Sequence, residues 1–157
     1  MRWTSLALLP VLLTGCTVAR SSPETPSPAS VSHEPTRVLD RDALERLLTN
    51  KGVTLQWLGW NQRGTANARM VNGMVLLTAA QAKSGGGRLF MDGAVSEIGS
   101  DYFVFTGTIR LADTPDTGRR CEATRNWRFA VTQSRPYWRL REFEWCDGLT
   151  DYIDIYF

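Results

Sequence analysis

The chain has 157 residues, 43% hydrophobic and 22% charged, with 18 basic and 16 acidic side chains for a net charge of +2. That is enough apolar material for one packed domain with appended segments, and too balanced a charge to favour nucleic acid as a partner. One histidine and three cysteines restrict the catalytic and metal chemistry that can be assembled.

The first element is a leader. Arg2 precedes the run "SLALLPVLLTGC", Ser5 to Cys16, in which Leu6, Ala7, Leu8, Leu9, Val11, Leu12 and Leu13 are apolar. A basic start and an apolar stretch of about ten residues have the proportions of a secretory signal, well short of the roughly 20 residues a spanning helix needs. Pro10 inside the run disfavours a continuous helix further.

Leu13-Thr14-Gly15-Cys16 resembles the lipobox of bacterial lipoprotein precursors, a leucine and two small residues before a cysteine. The resemblance implies removal of residues 1–15 as a signal peptide, a diacylglyceryl group on the Cys16 thiol, and acylation of the new amino terminus. Two or three acyl chains give a durable anchor where one gives only marginal binding. The implied address is the bacterial cell envelope, with the membrane engaged through the lipid. Thr17 stands where enterobacterial inner-membrane lipoproteins carry aspartate, which points to the outer membrane, facing the periplasm.

Residues 16–37 change character. Four prolines, many serines and threonines and no aromatic residue cannot bury enough surface to offset the entropy of ordering, so this stretch reads as a disordered tether. His33, the sole histidine, lies in it. Residues 38–157 remain for one β-rich domain. It opens with a short helix in "VLDRDALERLLTNKG", where Asp40 suits an N-cap, Ala43, Leu44, Leu47 and Leu48 recur at helical spacing, and Gly52 stops the pattern.

Beyond Gly52 the pattern is that of strands. In "DYFVFTGTIRL", Phe103, Phe105, Ile109 and Leu111 share one parity and Tyr102, Thr106, Thr108 and Arg110 the other, as in a half-buried strand. Similar runs are "VTLQWLGW", "MVLLTAA", "GRLFMD", "AVSEIG", "RRCEATR", "NWRFAVTQ", "YWRLREFEW" and "TDYIDIYF". Turn signals separate them at Asn72-Gly73, Gly85-Gly86-Gly87, Asp92-Gly93, Gly99-Ser100, Thr114-Pro115-Asp116 and Asp147-Gly148, with Asp92-Gly93 the sharpest hairpin signal. Eight or nine sequential strands predict a mainly β fold: a small antiparallel up-and-down barrel or curved meander with one short helix. A two-sheet sandwich is the alternative. On average the runs fall short of the 9–11 residues that cross a bilayer.

Cys121 and Cys146 form an even pair in an exported domain and predict a disulfide, for which the chain-entropy model gives about 3.5 kcal/mol. Catalytic triads and His–Cys zinc sites are disfavoured with the histidine in the tether, and no cofactor motif is present. Glu142, Glu144, Asp147, Asp151 and Asp154 cluster near the C-terminus and read as solvated turn residues. A carboxylate enzyme acting on an envelope component is the alternative, and calcium is disfavoured by the spacing.

Arg119, Arg120, Arg125, Arg128, Arg135, Arg139 and Arg141 crowd into one stretch. If their strands are neighbours, Arg128, Arg139 and Arg141 share a polar face suited to an anionic envelope ligand or an envelope protein. Trp57 and Trp60 read as opposite parities of one strand, and a bulge is expected between Trp138 and Trp145. The last twelve residues, "CDGLTDYIDIYF", resemble an uncharacterised exported family, a resemblance that implies no activity. The expected role is a non-enzymatic binding or interaction module, with a purely structural envelope component as a further alternative.

Overall fold

The computed structural model describes residues 34–157. The stretch read as a signal peptide, Cys16, His33 and nearly all of the stretch read as a tether lie outside these residues. The folded part reaches back to Thr36, which is buried; its hydroxyl donates to the Val95 carbonyl at 2.6 Å and accepts from the Val75 N–H at 2.7 Å. It therefore begins inside the stretch read as tether. Arg37–Val38 (β1) pairs in parallel with Glu97 and Ile98.

The helix forms as its sequence dictates. Asp40 is extended, and its carboxylate accepts the Ala43 N–H at 2.7 Å above helix α1, Arg41–Leu48; such a cap is worth about 1 kcal/mol. Ala43 and Leu47 are fully buried. The chain then makes β2 (Val53–Leu55), a 3-10 turn (Gln56–Leu58), β3 (Thr65–Val71), β4 (Met74–Ala82) and β5 (Arg88–Ile98). It continues with β6 (Tyr102–Ala112), β7 (Arg120–Ala130), β8 (Tyr137–Leu140) and β9 (Ile153–Tyr156).

The strand order β2-β9-β8-β7-β6-β5-β4-β3 is a sequential antiparallel meander whose last strand pairs with β2. The two ends meet at one bridge, where Val53 and Gly64 exchange backbone hydrogen bonds of 3.2 and 2.8 Å. The result is a nearly closed antiparallel barrel with, among the described residues, a single short α-helix. Gln81 holds the seam: its buried amide accepts the Leu55 N–H at 2.6 Å and donates to the Gly59 and Gln62 carbonyls at 3.1 and 2.7 Å.

Side chains fill the interior. Phe103, Phe105, Phe129, Trp127 and Trp138 are fully buried. Phe103 stacks on Phe129 at 4.9 Å and meets Trp138 edge-on at 5.5 Å. β5, β6 and β7 each run eleven residues; β5 and β7 are longer than the sequence runs suggest, and β6 matches its run. Most of their large apolar side chains point inward, Phe90 excepted, and their threonines and all their arginines but Arg125 outward, the reverse of a membrane-spanning barrel.

Asn72-Gly73 forms the two-residue hairpin between β3 and β4, with φ of 50° and 81°. Asp92-Gly93 does not turn. It lies mid-β5, with Gly93 opposite Gly107 of β6. A Cβ on Gly93 would sit 2.7 Å from the Gly107 Cα and 2.8 Å from the Phe105 ring. The glycine serves close backbone approach rather than reversal, so "GRLFMD" and "AVSEIG" are one strand, with a register shift between Val95 and Glu97. "RRCEATR" and "NWRFAVTQ" likewise join as β7. The predicted long strand from Tyr137 ends at Leu140, so no bulge separates Trp138 from Trp145. Trp57 and Trp60 fall in and after the 3-10 turn rather than along one strand.

Candidate functional site

β7 pairs with β8 only at Phe129–Leu140 and Ala130–Arg139. Beyond that point residues 141–152 replace a strand along the rest of β7. Arg141 N–H donates to the Arg128 carbonyl at 2.8 Å, and Arg128 N–H to Glu142 Oε2 at 3.0 Å. Trp145 meets the Trp127 ring edge-on at 5.2 Å, and Cys146 is joined to Cys121, their Cα atoms 6.0 Å apart. A disulfide and an aromatic pair thus stand in for the missing ladder.

The arginines on this wall divide by partner. Arg119, with its side chain 6% exposed, uses all five donors. Nε and Nη2 reach Asp147 at 2.8 and 2.7 Å, Nη1 and Nη2 reach Asp151 at 2.9 Å each, and Nη1 also donates to the Thr114 carbonyl at 2.9 Å. Trp57 Nε1 donates to the same Asp151 carboxylate at 2.9 Å. Hydrogen bonding to Asp147, then to Asp151, raises the Arg119 pKa, and Arg119 holds Asp147 below the usual carboxylate range.

Arg139 grips fully buried Asp154 through two hydrogen bonds of 2.7 and 2.8 Å and lies 4.2 Å from the Tyr152 ring centre. Burial nevertheless pushes the Asp154 carboxyl up, outweighing its arginine. Arg120 pairs with Asp113 at 2.8 Å, and Arg135 donates to the Tyr137 hydroxyl at 2.9 Å.

Asp151 and Asp154 are thus not the solvated residues the sequence suggests; each is buried under a guanidinium. Cys121, Cys146 and Asp147 have ligand atoms within 4.8 Å of one another, but bonded sulfurs offer no thiolate and Asp147 is taken by Arg119.

Of the three arginines proposed to share a face, Arg128 and Arg141 are exposed neighbours, whereas Arg139 is committed to Asp154. Among the described residues neither Arg128 nor Arg141 pairs with a carboxylate side chain, and Arg125 has none either. Stacking holds two of them in place: Arg128 lies 3.9 Å above Tyr102 and Arg125 4.1 Å above Trp127. Arg125 and Arg141 line a groove of about 340 Å³ with Phe143, Trp145, Glu142 and Glu144. The grouping of Arg125 with Arg141 has no local signature, because it depends on the crossing of residues 141–152.

A relative from Pasteurella multocida (strain Pm70), named "Uncharacterized protein PM1083", is 31% identical over 115 residues, covering 71% of this chain and 74% of its own. No solved structure matches the chain. The PM1083 family model matches residues 35–157, the same span that forms the barrel. The chain belongs to the PM1083 family.

Proposed function

We propose that the chain is a lipid-anchored protein of the bacterial envelope, held by acyl chains on Cys16, whose barrel is a binding module for an anionic envelope partner. The observation that carries the binding half is the division of the arginines. Among the described residues Arg125, Arg128 and Arg141 stand exposed and free of carboxylate partners, Arg128 on the outward side of β7 and Arg125 on the side of Trp127 beside Arg141, while Asp147, Asp151 and Asp154 are bonded to Arg119 and Arg139. Free guanidinium groups fixed by stacking suit phosphate or carboxylate. Held by arginine, Asp147, Asp151 and Asp154 are poorly placed as general acids and bases, which leaves only Glu142 and Glu144 of the acidic cluster for a carboxylate enzyme.

The anchor is supported by the Leu13–Cys16 motif. Mass spectrometry of the mature amino-terminal peptide tests it: Cys16 is expected as first residue with a diacylglyceryl thioether, and an unmodified Cys16 overturns it. Co-sedimentation with phosphatidylglycerol and phosphatidylcholine vesicles tests the partner class. The anionic vesicles should retain the chain beyond what the anchor gives, and Arg128→Gln with Arg141→Gln should abolish that excess.

A further inference from the structure

The outward side of β5 forms a second surface, separate from the arginine wall. Its residues Arg88, Phe90, Asp92 and Ala94 are flanked on β4 by Ala82, Ala80, Thr78 and Leu76 and on β6 by Ala112, Arg110, Thr108 and Thr106. Small residues dominate the flanks, so Phe90 stands proud at 39% exposure. Grooves of about 300 and 320 Å³ lie on either side of its ring and share Arg88. A third of about 350 Å³ continues past Asp92 to Ala94 and Thr106, and a fourth of about 320 Å³ runs on to Ser96. From Arg88 to Ser96 the track is about 26 Å long at the usual strand rise.

The chemistry along it is specific. An exposed ring beside alanines offers a flat apolar platform. Among the described residues Asn67, Thr78 and Asp92, one row of the sheet, make no side-chain hydrogen bond. Arg69 and Arg88 flank the track without a carboxylate partner among the same residues, and Arg110, 5.6 Å from the Phe90 ring centre, is paired with Glu122. β4, β5 and β6 are each hydrogen-bonded on both sides, so no backbone edge is open to an extended peptide, the usual means by which a sheet reads one. A ligand here is read by side chains alone.

We propose that this track binds a linear oligosaccharide carrying carboxylate groups. The apolar face of one sugar ring stacks on Phe90, adjacent ring hydroxyls donate to the Asp92 carboxylate, and Arg88 and Arg69 meet the sugar carboxylates. The site is independent of Cys16 and of the Arg125–Arg128–Arg141 wall.

Calorimetric titration of the purified chain with tetragalacturonate, and with cellotetraose as a neutral counterpart, tests it. Saturable binding of the acidic tetramer is expected, weaker for the neutral one. Phe90→Ala should weaken binding about tenfold, the scale of one lost stacking contact, and Arg88→Gln should narrow the gap between the two sugars. Lys51→Gln, an exposed change away from both surfaces, should change neither. Unchanged melting curves establish that Phe90→Ala, a surface change, leaves the fold intact. Absence of saturable binding at millimolar sugar overturns the proposal, as does binding indifferent to Phe90→Ala or lost instead in Lys51→Gln. A Phe90-dependent dimer in sedimentation would make the face a contact between copies and equally overturn it.

Discussion

Arg119 and Asp151 face each other through two hydrogen bonds of 2.9 Å, with the carboxylate fully buried. The pair joins the start of β7 to the segment that closes the barrel wall. Arg119→Met leaves a buried carboxylate without its cation and should cost about 3 kcal/mol or more. Asp147→Asn, at a side chain 44% exposed, should cost far less, because solvent screens the pair. Urea unfolding of the two variants measures the contrast.

Gly93 and Gly107 set a steric test. A Cβ on Gly107 would sit 2.7 Å from both the Gly93 Cα and the Phe105 ring. Gly107→Ala should therefore destabilise by about 1–3 kcal/mol, although alanine outranks glycine in strand propensity elsewhere. Ser96→Ala, at an exposed position of β5, should change little. Thermal melts of both variants decide it.

Reduction of the Cys121–Cys146 bond should reach beyond chain entropy. Loss of the 25-residue closure costs about 3.5 kcal/mol. Because the bond replaces strand pairing, amide exchange should also quicken selectively at residues 141–152 and along the adjoining half of β7. Uniform quickening over the whole barrel would contradict this assignment.

Acid stability has a defined sign. Asp147 and Asp113 sit below the ordinary aspartate range because Arg119 and Arg120 hydrogen-bond to them. The unfolded chain therefore binds more protons in acid. Their stabilisation is present above about pH 4 and is lost as pH falls through the folded values. Asp154, raised by burial, works oppositely: its contribution declines as pH rises through its folded value. Asp147→Asn should flatten the acid limb of a melting-temperature profile between about pH 2 and pH 6.

What could be read from the chain was local. Asp40 with Ala43 and Leu47 marks the helix, Asn72-Gly73 marks a turn, and the alternation Phe103, Phe105, Ile109, Leu111 marks a half-buried strand. β3 escaped notice because "TANARMV" is an end strand rich in alanine and polar residues, with little to alternate. Asp92-Gly93 misled because glycine permits two things, reversal and close approach, and only the partner strand decides between them. The pairs that Arg119 and Arg139 make with Asp147, Asp151 and Asp154 span 15 to 32 positions, beyond any local pattern, so solvated turn carboxylates are the natural reading of the sequence. The arginine face was legible as a crowding of one residue type, whereas which members are free depends on those distant pairs.

A solid interior divides the evolutionary freedom of each long strand between its alternate positions. Inward residues of β5, β6 and β7 constrain one another by volume, whereas their outward neighbours can drift without loosening the barrel. New recognition surfaces can therefore arise in this lineage by single exterior replacements, each tried at small risk to folding.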